Sequence, residues 1–511
     1  MEFYTGATLL SSMLLCCWLA PAADNGKTWK AEIPKVWDDA ALADWPTPVA
    51  GLNVRPTHIP SKEYYSLMVE NLRTYPVYFP GREPEGYWEM LQTLGPKPLI
   101  EPEKLKTEAD WIEAGRRVFA EADHIHLRTF DSKLIAIARD PATYKGKRPL
   151  PDGTASDIRW VPMRDGVALG IRDCSGCHTR YREDGTAIPG APRDTGIGSA
   201  SAVGLIGPMQ TAKRVVNASA PFHMGPQPFG EWLYQAWGVP WRENDFNARL
   251  KTMTEEEYAP LLRAFFRGGG NPRWNGSIFF PAKIPDLIGI KDRKYIDHTA
   301  THQHRGTGDL MRYAALVDYA ETADFGRYHL LAPGTKRVSA RMPDEALYAL
   351  ALYIYSLKPP PNPNSLDARA QAGQKIFARE GCPTCHTPPL YTSNKLTLAK
   401  GFTPPNGAPT SLDVLPVTVG TDPGLALETR KGTGYYKVPS LKGVWYRGHY
   451  FHDGAAVSLE EMFDPDRLKE THVPGGYNPP GVKTRAISGH EFGLKLESRE
   501  REQLIAFLRT L

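Results

Sequence analysis

Apolar residues recur at helical spacing in four stretches of this chain, and the four fall into two similar pairs. From Glu108 the sequence turns helical through Ala114-Gly-Arg-Arg-Val-Phe119, and an amphipathic counterpart returns as Ala372-Gly-Gln-Lys-Ile-Phe377. Each opening helix is matched by a closing one, Ala346-Leu-Tyr-Ala-Leu-Ala-Leu-Tyr-Ile-Tyr-Ser-Leu357 and Gln503-Leu-Ile-Ala-Phe-Leu-Arg-Thr-Leu511. The closing helices align at an offset of 154 residues. Ile284-Pro-Asp-Leu-Ile-Gly-Ile-Lys-Asp-Arg293 falls on Val438-Pro-Ser-Leu-Lys-Gly-Val-Trp-Tyr-Arg447, and His298 on His452, at the same offset. Self-similarity of this kind predicts a tandem repeat. The first copy carries large insertions on both sides of its central segment, among them Phe229-Gly-Glu-Trp232, Trp237-Gly-Val-Pro-Trp241 and Gly268-Gly-Gly-Asn-Pro-Arg-Trp274.

Other stretches break the pattern. An apolar run from Ala7 to Ala20 ends in Pro21-Ala22-Ala23 and reads as an export signal over 1–23, although its first residues hold no Lys or Arg. It is short of the roughly 20 residues that a membrane span needs, and no later segment reaches that length. Residues 24–108, dense in proline and aromatics, read as an arm or small subdomain around the first repeat. Lys358-Pro-Pro-Pro-Asn-Pro-Asn364 is a stiff linker, which sets the predicted units at 109–360 and 367–511 with 361–366 between them.

Within each repeat lies the same pentapeptide type, Cys174-Ser-Gly-Cys177-His178 and Cys382-Pro-Thr-Cys385-His386. Cysteines three apart on a helical turn each add across one vinyl group of a haem, and the adjacent histidine becomes the proximal iron ligand. The sequence therefore predicts two covalently bound c-type haems, attached at Cys174, Cys177, Cys382 and Cys385, with His178 and His386 on the irons. Of six cysteines, Cys16 and Cys17 lie in the signal, so none is left for a disulfide. A four-cysteine zinc site would not explain a histidine after each pair. The formal charge of +4 would be offset by four haem propionates, and nothing in the charge pattern argues for nucleic acid. Arg293 and Arg447, equivalent in the repeat, are candidates for propionate pairing through their guanidinium forks, with plain surface placement as the alternative. The expected fold is mainly α, two tandem cytochrome c-type haem domains with long irregular loops and few strands.

With Val438-Pro-Ser-Leu441, Tyr450-Phe-His-Asp-Gly454 and Ser458-Leu-Glu-Glu461, residues 110–511 resemble the bacterial di-haem cytochrome c peroxidase and MauG superfamily. The segment Asp297-His298-Thr-Ala-Thr-His302-Gln-His304-Arg305 and the late Gly489-His490-Glu491 are similar to its rubber-oxygenase-like branch. In the superfamily a Met or Tyr fourteen residues beyond the motif histidine lies on the distal side of the second haem. Asp466 stands there in this chain and is a poor ligand, which leaves Met462, His472 and His490 as candidates, with His490 favoured by the branch resemblance. At the repeat offset, Lys336 replaces His490 and Arg312 replaces Asp466. The first haem is therefore expected to keep an open distal face unless Met311, His302, His304 or His329 closes it. Arg447-Gly-His449 stands where the superfamily has Thr-x-Pro, so its calcium site lacks the usual pattern here.

The resemblance implies a periplasmic or secreted haem oxidoreductase, peroxidase-like or driving an oxidation with peroxide or dioxygen. The second haem would relay electrons between the first and a small redox protein or other donor or acceptor. His298, His302 and His304 are the candidates for catalytic help at the first haem. Two other readings stand beside it: a di-haem electron-transfer cytochrome without its own substrate, and dioxygen cleavage of a hydrophobic polyene.

Overall fold

The opening helix of the first repeat, Glu108–Glu121, starts at a capping box in which Thr107 and Asp110 satisfy each other's backbone N–H groups. It buries Trp111, Ala114, Gly115, Val118 and Phe119, one stripe at helical spacing, against the closing helix Asp344–Ser356. In the second repeat Asp367 caps Ala368–Arg379, whose buried Ala370, Gly373, Ile376 and Phe377 pack against Ser498–Arg509. The structure, a computed structural model, describes residues 29–49, 58–123, 128–146, 149–193, 255–270, 279–319, 324–325, 328–329, 340–408, 412–428 and 432–511. The apolar run at 7–20, the aromatic segments 229–241 and 271–274, Lys336 and the side chain of His329 lie outside it.

Both helix pairs cross through a glycine, and the two crossings match. A Cβ on Gly115 would overlap the carbonyl of Ala349 and lie 2.8 Å from Cβ of Tyr353. One on Gly373 would overlap the carbonyl of Gln503 and lie 2.9 Å from Cβ of Phe507. Ala349 and Gln503, like Tyr353 and Phe507, are 154 residues apart. Only glycine lets the two backbones touch at this point.

The two halves also meet through reciprocal backbone bonds. The N–H of Lys283 donates to the carbonyl of His452 at 2.8 Å, and the N–H of Lys437 donates to the carbonyl of His298 at 3.1 Å. Lys283 and Lys437, and His298 and His452, are equivalent at the repeat offset, so residue i contacts j and j contacts i, as in an isologous interface. The arm joins the first core: Val36, Trp37 and Trp45 are buried with Trp111, Met311 and Leu350. Thr47 N–H donates to the Thr301 carbonyl at 2.9 Å, and Gln303 N–H to that of Trp45 at 3.0 Å.

The expectation of a mainly helical chain with few strands needs correction. The described residues form a mixed fold with six small sheets among the helices. The largest is antiparallel, Tyr75–Tyr78 beside Thr154–Met163 beside Gly166–Ile171, with Ile158 opposite Ile171 and Trp160 opposite Leu169. It builds a core of its own from Val77, Leu91, Leu134, Trp160 and Leu169, upstream of the first pentapeptide. The hairpin follows from β-branched and aromatic residues flanking a turn closed by Gly166 at φ 129°.

Gly373→Ala should destabilise the protein by about 2 kcal/mol or more, because the added methyl forces the helices apart. Gly306→Ala, at a position outside the left-handed region where a Cβ meets nothing within 4 Å, is the control and should cost little. Denaturant unfolding of the two variants checks the difference.

Candidate haem sites

The second pentapeptide follows directly on its opening helix. Gly381 takes the left-handed conformation (φ 74°) and starts a tight turn over Cys382–Thr384. The N–H of His386 donates to the Cys382 carbonyl at 2.9 Å, which turns both cysteines and the histidine to the wall of one cavity. The cavity has a volume of about 450 Å³ and an apolar body that includes Phe377, Leu441, Val444, Met462, Phe463 and Leu504. His386 is buried, and its Nδ1 lies 3.2 Å from the Tyr391 carbonyl. Donation from that nitrogen leaves Nε2 with its lone pair. Burial pushes the His386 pKa down to about 4 and the Cys382 thiol up to about 11.

Across the cavity stands His490, its ring centre 6.3 Å from that of His386 with the planes inclined at 56°. Burial, then the neighbouring His386 and Arg467, push its pKa down to about 4. Among the described residues its Nδ1 is buried with no side-chain or backbone partner within hydrogen-bond distance. This separation is a fit test for haem. An imidazole nitrogen binds a transition metal at about 2 Å and the ring centre lies roughly 1 Å further back, so two imidazoles sharing one iron have centres roughly 6 Å apart. The apolar body, the two cysteines and the facing rings suit a c-type haem.

The cavity's polar end is cationic. Lys283, Arg293, Asp286 and Arg447 all line it. Arg293 donates to the carbonyls of Asp286 and Ile288, and Arg447 to that of Ser440 at 2.6 Å. Asp286 takes the Tyr446 hydroxyl at 3.2 Å and lies 3.9 Å from Arg447. Burial and the Arg447 charge push the Lys283 ammonium down to about 7. Three cations against one carboxylate leave room for anionic groups. The two arginines predicted from the repeat thus meet at one cavity, joined by Lys283 and Asp286. Lys283 and Asp286 were not predicted; the only trace of Asp286 was a carboxylate inside the apolar run Ile284–Ile290.

The first pentapeptide makes the same local turn: Cys174–Cys177 is a single helical turn, and the N–H of His178 donates to the Cys174 carbonyl at 2.9 Å. Cys174 packs against the first core and Cys177 is buried. Among the described residues no group of three or more His, Cys, Asp or Glu is placed to hold a metal.

The other candidates separate in space. His298 lines the second cavity with Nε2 2.8 Å from the Lys283 carbonyl. His302 is buried against Trp45, ring centres 4.0 Å apart, with Thr301 Oγ1 3.0 Å from its Nδ1. His304 engages both ring nitrogens, with the Arg293 carbonyl at 2.7 Å and the Tyr355 hydroxyl at 2.6 Å. Met311 is buried in the first core, and Arg312 pairs with Asp309 at 2.7 Å. Of the distal candidates for the second site, Met462 lies in the cavity wall. His472 sits against Glu461 at 3.1 Å, and Asp466 is exposed beside Lys469.

The chain is 25% identical over 173 residues to cytochrome-c peroxidase IdrP1 of a Pseudomonas species, a match covering 29% of this chain and 41% of that protein. It is 27% identical over 153 residues to the methylamine utilization protein MauG of Methylorubrum extorquens, covering 29% and 36%. Both matches support a relationship of the chain to the di-haem cytochrome c peroxidase and MauG superfamily. Its matches span about two fifths of the superfamily proteins' own length. No family model matches the chain. Among solved structures, hydrazine synthase of Kuenenia stuttgartiensis pressurised with xenon aligns at 17% identity and TM-score 0.27, covering 55% of this chain and 86% of that one. A MauG-like protein associated with microbial copper homeostasis aligns at 16% and 0.27, covering 45% and 73%. Superpositions this weak carry no argument about the superfamily fold.

His472→Ala should leave the visible spectrum unchanged and cost about 1–2 kcal/mol of stability, since it removes a largely buried partner of Glu461. Absorption spectra and chemical unfolding of the same preparation check both halves.

Proposed function

We propose that the protein is an exported di-haem c-type oxidoreductase, peroxidase-like in reaction, in two tandem haem domains. The observation that carries this reading is the pair of facing imidazoles, His386 and His490, over Cys382 and Cys385. His386 and His490 would hold the second haem from both faces, while Cys174, Cys177 and His178 hold the first. A c-type haem supplies one-electron transfer and, where one iron face is open, a place for peroxide or dioxygen to bind. At the second site Tyr391 fixes the proximal ring through its carbonyl, the apolar wall excludes water, and Arg293, Arg447 and Lys283 offset the charge of the propionates. The lowered pKa values of His386 and His490 keep both lone pairs free.

Peroxide reduction would take two electrons and two protons per peroxide to give two waters, the electrons arriving singly from a small redox protein. His298, the superfamily-like candidate nearest the second site, holds the Lys283 carbonyl at the seam between the halves. Among the described residues no helix is long and apolar enough to cross a membrane. The facing imidazoles would close the second iron, and a second reading, an electron carrier with no substrate of its own, would need the first iron closed as well.

Reduced protein should bind roughly one carbon monoxide per chain, at the first haem, and Cys174→Ala should abolish that binding. Peroxide turnover with a reduced donor should exceed that of free haem. A reduced protein that binds no carbon monoxide and turns over at background rate would establish the electron carrier instead.

A further inference from the structure

One arginine behind the second cavity is used in an unusual way. Arg467 is 0% exposed, and among the described residues it pairs with no carboxylate. Its guanidinium spends its donors on backbone carbonyls: Nε on Met462 at 2.8 Å, Nη1 on Ile487 at 2.5 Å, and Nη2 on both Gly489 and His490 at 2.8 Å. Its own carbonyl accepts the N–H of Ile487 at 2.6 Å. Burying an unneutralised guanidinium is costly, and burial lowers its pKa to about 10 against the opposing pull of Glu491 and Asp464. A surface strand or helix would not need such a group.

The segment it grips is a strained one. His490 is a non-glycine residue at φ 48°, and Gly489 before it sits at φ 85°. Gly489 is pressed so closely on Gly420 and Thr421 that a Cβ would overlap their backbone. The N–H of His490 donates to the Val419 carbonyl at 2.6 Å, which holds the loop from one side only. Left-handed backbone at a histidine persists when surrounding contacts over-determine it. Arg467 supplies three of those contacts, at Ile487, Gly489 and His490, and its fourth bond ties the same loop to Met462 in the cavity wall.

We propose that Arg467 is the positioning residue that holds the His490 imidazole over the second cavity, at the distance that lets it share an iron with His386. This rests on the reading of His386 and His490 as a pair of axial ligands. The planar fork matters as much as the charge, because a lysine ammonium at the same place reaches one or two of the four carbonyls and leaves the loop free to relax. Loosening the loop would uncover one face of the second haem while leaving its covalent attachment intact.

The test compares Arg467→Gln, Arg467→Lys and His490→Ala in the full haem-loaded chain. Covalent haem is counted as pyridine haemochrome, the reduced protein is titrated with carbon monoxide, and the oxidised protein is examined by electron paramagnetic resonance. Both Arg467 variants are expected to keep two haems, to lose low-spin signal from the second haem, and to gain up to roughly one carbon monoxide per chain, as His490→Ala does. If His490→Ala gains carbon monoxide and the Arg467 variants do not, Arg467 only supports the fold and the proposal is overturned. Should His490→Ala gain none, the paired-ligand reading itself falls, and the proposal with it. Failure of both Arg467 variants to incorporate two haems would mark it as a folding residue and equally overturn the proposal.

Discussion

Direct contact between backbones at Gly115 and Gly373 sets the geometry on which everything else depends. An opening helix pressed on a closing helix without side chains between them has one available depth and little freedom of angle. In the second half, Gly381 and Cys382 follow the end of that helix within a few residues, so the helix pair decides where the cysteines and His386 are presented. His490 lies just before the closing helix and reaches the cavity from the other side. The crossing thus fixes where the two loops begin, and the contacts of the His490 loop fix where its imidazole stands.

The same region shows why the two halves are joined as they are. A cavity with Lys283, Arg293 and Arg447 at one end and a single Asp286 among them is poorly balanced in isolation. Burial first, and then the Arg447 charge, make the Lys283 ammonium give up its proton more readily. Bringing the two propionates of one haem to this end would restore the charge and draw on residues from both halves, since Lys283 and Arg293 precede the linker and Arg447 follows it. The reciprocal bonds of Lys283 with His452 and Lys437 with His298 hold these groups in register.

Much of this was legible along the chain. The helix pairs announced themselves through periodicity, the pentapeptides through spacing, and the repeat through an offset that places matching glycines at matching crossings. The sheet around Trp160 was not legible because its two longer strands are buried runs without a clean two-residue alternation, inside an insertion where no second copy exists for comparison. Spacing alone did not separate His472 from His490; the branch resemblance favoured His490, and the fold sets one against Glu461 and the other facing His386. Arg467 left no trace because its partners are carbonyls, which every residue carries, and because it sits in Asp464-Pro-Asp-Arg467, a run that reads as surface.

The two glycine crossings also impose an order in time. Gly373 and Gln503 are far nearer along the chain than Gly115 and Ala349, and the first pair encloses the whole of one haem segment with its insertions. Loop closure costs grow only slowly with length, yet contacts so distant in sequence form late. During synthesis the segment around Cys174 would emerge well before its closing helix exists. Cys174 and Cys177 would therefore wait longer for their helix pair than Cys382 and Cys385, whose closing helix follows sooner along the chain.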